Sequence, residues 1–361
     1  MGTRGRIRRS APLAVSMLGF GVLVSASPAA ALVAPVTAGP PKRPPLKHLD
    51  FNGFFPSTTR IHVGDSVSWQ LNGFHTVTFL AKGQAVPPLI IVNPGSPITG
   101  KLDATGAPFF FNGQPRQEIN PMAGAPSGSK AYAGGFLNSG PPEETAGRPK
   151  PFVVKFTKAG TYAFRCLVHP GMKGVVKVLP KGKPAPSARK DKAAALAQEA
   201  AGVKQARRLA KVKPAAATVL AGNDGNGSTA WLRFFPETLK VKAGTTVHFK
   251  ISSKREIHTV TIGPPAYTGA IESSFTGPVP NPAGGPPAIV VNPLGALPSD
   301  PMPLPDFTGA NHGNGFEGTG ILSEGGGPLP SSASIKFTTP GTYAFECVIH
   351  PEMDAKIVVS K

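Results

Sequence analysis

Apolar and polar residues alternate with a period of two along much of the chain, which predicts β-strands rather than helices. Segment 61–69, Ile-His-Val-Gly-Asp-Ser-Val-Ser-Trp, has the pattern of a strand, a turn and an alternating strand. Segment 239–249, Leu-Lys-Val-Lys-Ala-Gly-Thr-Thr-Val-His-Phe, has it too. Each follows a Phe-Phe-Pro triplet, at 54–56 and at 234–236. The 43 Gly and 42 Pro add turn signals, so the pattern favours an all-β fold with long loops.

A longer repeat shows that the chain contains the same unit twice. Residues 160–172, Gly-Thr-Tyr-Ala-Phe-Arg-Cys-Leu-Val-His-Pro-Gly-Met, return at 341–353 as Gly-Thr-Tyr-Ala-Phe-Glu-Cys-Val-Ile-His-Pro-Glu-Met. In a strand, Tyr162, Phe164 and Cys166 share one face, which we expect to be buried. The proline after each histidine then turns the chain, so that one short loop can bring Cys, His and Met to one point.

Each copy therefore offers a thiolate, an imidazole and a thioether, the soft ligand set that suits copper cycling between Cu(I) and Cu(II). A second imidazole is present in a His-Thr-Val-Thr segment of each repeat. The candidate ligands are His75, Cys166, His169 and Met172 in the first repeat, and His258, Cys347, His350 and Met353 in the second. A disulfide, or two merely buried cysteines, is the alternative. It would leave the duplicated histidines and methionines unexplained.

These residues resemble the cupredoxins, the type 1 blue-copper proteins, and the short Cys-x-x-His-x-x-Met loop is similar to that of amicyanin. The resemblance implies two Greek-key β-sandwiches, each with one copper at one end, that serve one-electron transfer. It implies two histidines and the cysteine as equatorial ligands and Met172 or Met353 as the weak axial ligand. It further implies that His169 and His350 present ring edges near the surface as electron ports.

Composition divides the chain into five segments. Residues 1–31 have a basic start, an apolar run and an Ala-Ala-Ala end, which predict a signal peptide and an exported protein. We expect 32–47 to be a Pro-rich flexible spacer, 48–180 the first domain, 181–222 a linker and 223–361 the second domain. Because each repeat carries its own strand set, we expect the two domains to fold separately.

The formal net charge of +19 is concentrated in the connecting segments. The linker holds ten Lys or Arg against Asp191 and Glu199, and its Ala-rich part, 193–210, predicts a partial helix. This charge is interpreted either as a solvated spacer or as attraction to an anionic membrane or wall surface. Nucleic-acid binding is not expected of an exported chain that has no recognition motif.

Two Gly/Pro-rich inserts, 81–150 and 263–331, separate the first histidine from the cysteine and depart from the small cupredoxins. They also repeat, since 87–94, Pro-Pro-Leu-Ile-Ile-Val-Asn-Pro, returns at 286–293 as Pro-Pro-Ala-Ile-Val-Val-Asn-Pro. Such a run predicts a short strand or a segment laid on the sandwich. The remaining histidines are predicted to have surface or packing roles; they are His48, His62, His248 and His312.

Three classes of function fit two copper sites. The first is an electron carrier without catalysis of its own, serving redox protein partners whose identity the sequence does not indicate. An oxidase or nitrite reductase would need additional His clusters, commonly His-x-His pairs, and the chain has none. A copper buffer or delivery protein would need more exchangeable sulfur ligands than the two methionines with ligand spacing.

The two ligand loops differ in charge. Arg165 and Lys173 flank the first loop, where the second has Glu346 and Asp354. Within the loop, Gly171 of the first repeat corresponds to Glu352 of the second. Since Cu(II) carries one more positive charge than Cu(I), nearby anions favour the oxidised form. We therefore expect the second site to have the lower reduction potential and to pass electrons to the first.

Overall fold

Alternating burial along the strands builds the fold in the computed structural model. Phe152–Phe156 and Ser332–Phe337, which are equivalent strands of the two repeats, each bury every second residue. The structure describes residues 1–2, 31–142, 149–225, 227–280, 287–324 and 329–361. Most of the predicted signal peptide lies outside this part of the chain. Leu32–Lys361 forms one structural unit, which contains both repeats.

Thirteen described strands precede the linker. In chain order they are β1 Val33–Ala38, β2 Leu49–Phe51, β3 Phe54–Phe55, β4 Thr58–His62, β5 Ser66–Leu71, β6 Thr78–Phe79, β7 Ile90–Pro97, β8 Pro115–Ile119, β9 Ala131–Tyr132, β10 Leu137–Asn138, β11 Phe152–Phe156, β12 Gly160–Arg165 and β13 Lys173–Leu179.

The later described strands, of which the first begins inside the predicted linker, are β14 Thr218–Asn223, β15 Thr229–Phe235, β16 Thr238–Lys242, β17 Thr245–Ile251, β18 His258–Ile262, β19 Thr276–Val279, β20 Ala288–Val291, β21 Glu317–Leu322, β22 Ser332–Phe337, β23 Gly341–Glu346 and β24 Asp354–Ser360. The helices are α1 Pro121–Gly124, α2 Ala188–Leu209, α3 Pro265–Ser273 and α4 Pro293–Ala296, with a 3₁₀ turn at Asn311–Gly313. None of these helices has the length and apolarity that a membrane span requires.

The first repeat forms a sandwich of two five-stranded sheets. Sheet I has the order β3-β1-β5-β11-β9, and sheet II has the order β10-β6-β12-β13-β4. Their inward side chains form a single core that includes Trp69 from sheet I and Phe164 from sheet II, with ring centroids 5.2 Å apart. The core also contains Cys166 and Met172, so two candidate ligands are fixed by the packing of the sandwich.

The second repeat forms an equivalent sandwich. Sheet III has the order β2-β15-β14-β17-β22, and sheet IV has the order β16-β24-β23-β18-β21. Apart from the edge strands β9 and β2, each strand in one sandwich has a counterpart at the same place in the other. Cys347 and Met353 again lie in the core. The predicted all-β class with two β-sandwiches is thus confirmed.

The inserts supply a fifth sheet that both repeats share. Its order is β19-β20-β8-β7, with β7 and β8 from the first insert and β19 and β20 from the second. The joining contact is antiparallel, between Glu118 and Val290. The apolar runs at 87–94 and 286–293 therefore supply strands, as predicted, but these strands connect the repeats.

The segment between β1 and β3 also belongs to both repeats. β2 pairs antiparallel with β15 of the second sandwich, and only two residues further on β3 joins β1 of the first. Phe51 is completely buried among Phe235, Trp231 and residues of α2. The chain thus crosses from one sandwich to the other at Asn52 and Gly53.

The two connecting segments are more ordered than a spacer and a linker. Val33–Ala38, expected to be flexible, runs parallel to β5 as a strand of sheet I. In the linker, α2 covers the predicted helical part and packs on both repeats: Gln198 accepts a hydrogen bond from the Ser57 amide, and the Trp231 indole donates to the Ala206 carbonyl. Composition predicted solvated tethers here, whereas the buried small side chains of these segments pack on the sandwiches.

Truncating Phe51 to alanine should destabilise the second sandwich, although Phe51 lies in the chain between two strands of the first. We expect a loss of about 3–5 kcal/mol of unfolding free energy, because the change leaves a cavity between sheet III and α2. Denaturant unfolding of the copper-free full chain measures it. Phe110→Ala, which removes a partly exposed ring, serves as the control and should cost less than about 0.5 kcal/mol. An equally small effect of Phe51→Ala would show that β2 is not an integral strand of sheet III.

Candidate metal centres

The Cys-to-Met loop of each repeat is closed by two backbone hydrogen bonds. The Cys166 amide donates to the Met172 carbonyl over 3.0 Å, and the Met172 amide donates to the His169 carbonyl over 3.1 Å. The corresponding distances in the second repeat, between Cys347, Met353 and His350, are 2.9 and 3.2 Å. The prolines at positions 170 and 351 make the turn, as the spacing predicted.

A threonine attaches this loop to the segment that carries the other histidine. The Thr76 amide donates to Cys166 Sγ over 3.4 Å, and Thr76 Oγ1 accepts from the Leu167 amide over 2.9 Å. In the second repeat Thr259 makes the same two bonds, of 3.4 and 3.0 Å, to Cys347 and Val348. A hydrogen bond donated by a backbone amide to the sulfur favours the thiolate over the thiol. The role of these threonines was missed, although the repeated His-Thr-Val-Thr segment contained the signal.

The structure brings the first predicted set together. Cys166 Sγ lies 3.6 Å from His169 Nδ1 and 4.0 Å from His75 Nδ1, and all three residues are buried. The two imidazole rings are 4.6 Å apart between centroids. Met172, which is 2% exposed, lies in the adjoining core. One sulfur and two Nδ1 atoms thus converge on one point.

The second set has the same arrangement. Cys347 Sγ lies 3.5 Å from His350 Nδ1 and 3.7 Å from His258 Nδ1. The two Nδ1 atoms are 3.1 Å apart. Met353 is 1% exposed in the second core. Both groups therefore present three donor atoms within the span of one metal ion.

A glycine lies against the outer nitrogen of the first histidine in each repeat. A Cβ on Gly39 would come within 2.5 Å of His75 Nε2, and one on Gly222 within 2.3 Å of His258 Nε2. Both glycines have positive φ, 87° and 68°. These buried Nε2 atoms have no hydrogen-bond partner. The rings are thus positioned by packing and directed inward through Nδ1.

The electrostatics favour a thiolate in both groups. Burial raises the pKa of the Cys166 thiol, but hydrogen bonds from His169 and His75 outweigh it, so the pKa lies well below its ordinary value. The pKa of Cys347 is lowered in the same way by His258 and His350. Neither cysteine is in a disulfide. A deprotonated sulfur with two imidazoles is the form that a soft metal ion binds.

This donor set fits copper. Sulfur and imidazole ligands in a trigonal arrangement, with a buried thioether nearby, suit Cu(I) and Cu(II) alike. The outer nitrogens of His75 and His258 are closed off by glycine, so Nδ1 is left as the available donor.

One buried carboxylate lies between the two groups. Glu256 Oε1 is 3.4 Å from His169 Nε2, and Glu256 Oε2 is 3.4 Å from His350 Nε2. Asn52 Nδ2, at the crossing between the sandwiches, donates to Oε1. Although burial disfavours its charge, the facing imidazoles hold the pKa of Glu256 well below its ordinary value. The Asp50 carboxylate is also nearby, within 4.8 Å of the ligand atoms of His169 and Glu256.

A hydrogen-bonded loop fixes the position of Glu256. Asp224 Oδ2 accepts from Ser253 Oγ, the Lys254 amide and the Arg255 amide over 2.7–2.9 Å. Ser253 Oγ in turn accepts from the Glu256 amide over 3.1 Å. The role of Glu256 was not predicted, since its only signal in the sequence is an acidic residue two positions before His258.

The environment of His169 and His350 differs from what the resemblance implied. His169 is 6% exposed, and both rings direct Nε2 at the buried carboxylate of Glu256. Both Nε2 edges therefore face the contact between the repeats, although the His350 side chain keeps 15% exposure. The physical reason is that the two ligand-bearing ends of the sandwiches face each other.

Three of the other histidines make polar contacts outside these groups. His62 Nε2 is 2.7 Å from the Lys183 carbonyl, and His248 Nδ1 is 2.9 Å from Ser334 Oγ. His312 lies between Asp300 and Asp103, with nitrogen-to-oxygen distances of 2.9 and 3.5 Å. His312 also forms a group with Asp300 and Glu317 whose ligand atoms lie within 4.8 Å of one another. The packing and surface roles of these histidines stay predictions.

No protein-family model matches the chain, and no curated protein is significantly similar to it. Solved structures match parts of it weakly. Oxidised plastocyanin from Dryopteris crassirhizoma has 19% identity and a TM-score of 0.20, over 40% of this chain and 99% of its own. Amicyanin from Paracoccus versutus has 15% identity and a TM-score of 0.22, over 42% and 88%. A purple cupredoxin from Nitrosopumilus maritimus has 15% identity and a TM-score of 0.20, over 40% and 98%.

Gly222→Ala should prevent the second group from binding copper, since the added methyl would displace His258. The measurement is the visible absorption of the Cu(II)-loaded full chain in a Cys166→Ser background, where only the second group can contribute. Gly244→Ala is the matched control, because Gly244 also has positive φ, 85°, but has nothing within 4 Å of an added Cβ. If both variants keep the visible absorption of the copper-loaded chain, contact with Gly222 does not position His258.

Proposed function

We propose that this protein binds two copper ions, one in each sandwich, and acts as a one-electron carrier. The observation that carries the proposal is the duplicated convergence of Cys Sγ and two His Nδ1 atoms, each group fixed by the same loop and threonine bonds. Copper bound there would supply the Cu(I)/Cu(II) couple. The ligands would be His75, Cys166, His169 and Met172, and His258, Cys347, His350 and Met353.

The rigidity of both groups supports electron transfer over buffering or delivery. The cysteines and methionines are buried in the cores, and three ligands of each group share one hydrogen-bonded loop. A site that barely rearranges between oxidation states favours fast one-electron exchange. A delivery protein needs ligands that open and release the metal. We therefore rank copper buffering second.

An oxidase or reductase role ranks third. Each group offers one thiolate and two imidazoles with a buried thioether nearby, a set that would fill the coordination of one copper ion and leave no position for a substrate. The partners in our proposal are redox proteins of unidentified type. We also propose that the mature protein is exported, on the basis of the basic and apolar start of the chain. Attraction of α2 to an anionic surface remains part of this proposal.

The wild-type chain should bind two coppers and show an intense visible thiolate-to-copper band. Cys166→Ser and Cys347→Ser should each remove one copper and about half of this absorption, because each removes one thiolate. Metal analysis and absorption of the Cu(II)-loaded variants measure it, and the double variant should be colourless. One copper in the wild type would contradict the two-site proposal. Bound copper without the band would favour buffering.

The surroundings of the two groups support different reduction potentials. Arg165 lies opposite Lys173 in the first sandwich, where Glu346 lies opposite Asp354 in the second. Glu272 adds a carboxylate near the second group. Its pKa is raised, mainly by burial and further by the negative charges of Glu346 and Cys347. These charges stabilise Cu(II) in the second site relative to the first.

The second site should therefore have the lower potential, by up to about 100 mV at low salt. Redox titration of Cys166→Ser and Cys347→Ser chains measures each site alone. Exchanging the charges gives matched variants: Glu346→Arg should raise the potential of the second site, and Arg165→Glu should lower that of the first. Equal potentials, or a higher one in the second site, would refute this order.

A further inference from the structure

The shared carboxylate has a role that neither ligand group explains. His169 and His350 each turn Nδ1 toward a cysteine, at 3.6 and 3.5 Å, and Nε2 toward Glu256. A metal-ligating histidine commonly donates its outer N–H to a carboxylate, which fixes the ring and its tautomer. Here a single carboxylate faces two such rings, one on each oxygen.

We propose that Glu256 joins His169 and His350 into one hydrogen-bonded bridge, through which the two sites exchange electrons inside the chain. This inference rests on the proposed function. The route consists of the His169 ring, the Glu256 carboxylate and the His350 ring, with two N-to-O contacts of 3.4 Å as its only through-space steps. Glu256 is a positioning residue, because it acts through the two histidines.

Three observations support the role of Glu256 as a bridge between the two histidines. Glu256 is 5% exposed, and a buried carboxylate is costly unless it has partners. Asn52 from the strand crossing and Asp224 through its loop hold Glu256 from two directions. Finally, the first repeat has Gly73 two residues before His75, in a connection of three residues after β5 against six after β17, so these connections supply one carboxylate to the pair of repeats rather than two.

The exchange is balanced without any added reactant. One electron leaves the reduced site and enters the oxidised site, so the chain keeps its total charge. Both Nε2 protons stay on their rings, and no bond is made or broken. A redox partner is needed only to load or withdraw an electron. With the potentials proposed above, the electron would move from the second site to the first.

The kinetic test uses the copper-loaded full chain with Met353→Gln as a spectral label. An axial amide changes the colour of the second site, so that the two sites can be followed separately. A pulse of a radiolytically generated one-electron reductant, less than one equivalent, reduces both sites out of equilibrium. The redistribution between them should be first order and independent of protein concentration.

Removing the carboxylate should slow this redistribution. Glu256→Ala should lower the rate by about 10-fold or more, the lower end of the usual effect of losing a carboxylate partner of a ligating histidine. Glu256→Gln, which keeps the shape and one acceptor, should be intermediate. Glu272→Gln is the control: it removes an anion close to the second site but not between the sites, and its rate should stay within about twofold. An unchanged rate in Glu256→Ala would overturn the proposal.

A second measurement does not depend on the folding of a variant. In the diamagnetic Cu(I) form of the wild-type chain, NMR should show two downfield Nε2 protons, of His169 and His350, that exchange slowly with water. Absence of both would overturn the bridge. A third metal ion per chain, lost with Glu256→Gln, would also overturn it, because Nε2 would then be a ligand rather than a donor. Absence of the visible bands would contradict the proposed function itself, whereas intact bands with unchanged redistribution would contradict only the bridge.

Discussion

A single buried carboxylate between two imidazoles constrains how the two sandwiches must be arranged. Glu256 is a carboxylate that is only 5% exposed, and its two histidine partners belong to different sandwiches. Removing one partner from a buried ion pair typically costs several kcal/mol, because the remaining charge is left uncompensated. Separating the sandwiches would therefore leave the Glu256 carboxylate buried without its histidine partners, which is unfavourable. The buried carboxylate thus requires fixed packing between the repeats.

The chain meets this requirement with backbone that both repeats share. β2 completes sheet III although it lies in the chain between β1 and β3 of the first sandwich, and the inserts build one sheet from strands of both repeats. The linker helix α2 packs on both β3 and β15 through small side chains such as Ala206, which is fully buried. Independent folding of the two repeats, which the sequence led us to expect, does not agree with these shared elements.

The alternating pattern predicted the strands, and the repeated Cys-x-x-His-x-x-Met spacing predicted that Cys, His and Met share one loop, because both depend on local periodicity and short spacing. The sandwiches were implied only by the resemblance to the cupredoxins, and His75 and His258 were found through their matching places in the two repeats. Glu256 and Asn52 could not be predicted in their roles. They lie 204 residues apart, and their contact depends on the packing of one repeat on the other. The segments 32–47 and 181–222 were interpreted as tethers from their Pro, Lys and Ala content. Composition shows which residues can be solvated, but it does not show that a sheet edge and a helix-binding face are available to receive them.

Gly73 shows what the two sandwiches gain from being joined in one chain. In a symmetric homodimer every residue at the interface axis occurs twice, so two identical sandwiches meeting in this way would bring either two carboxylates together or none. Two buried carboxylates at that distance would repel each other, and one would be driven to take up a proton. Joining the two sandwiches in one polypeptide allows the repeats to differ, with Gly73 in one and Glu256 in the other. Covalent duplication thus makes possible an asymmetric charge that an assembly of identical subunits could not have.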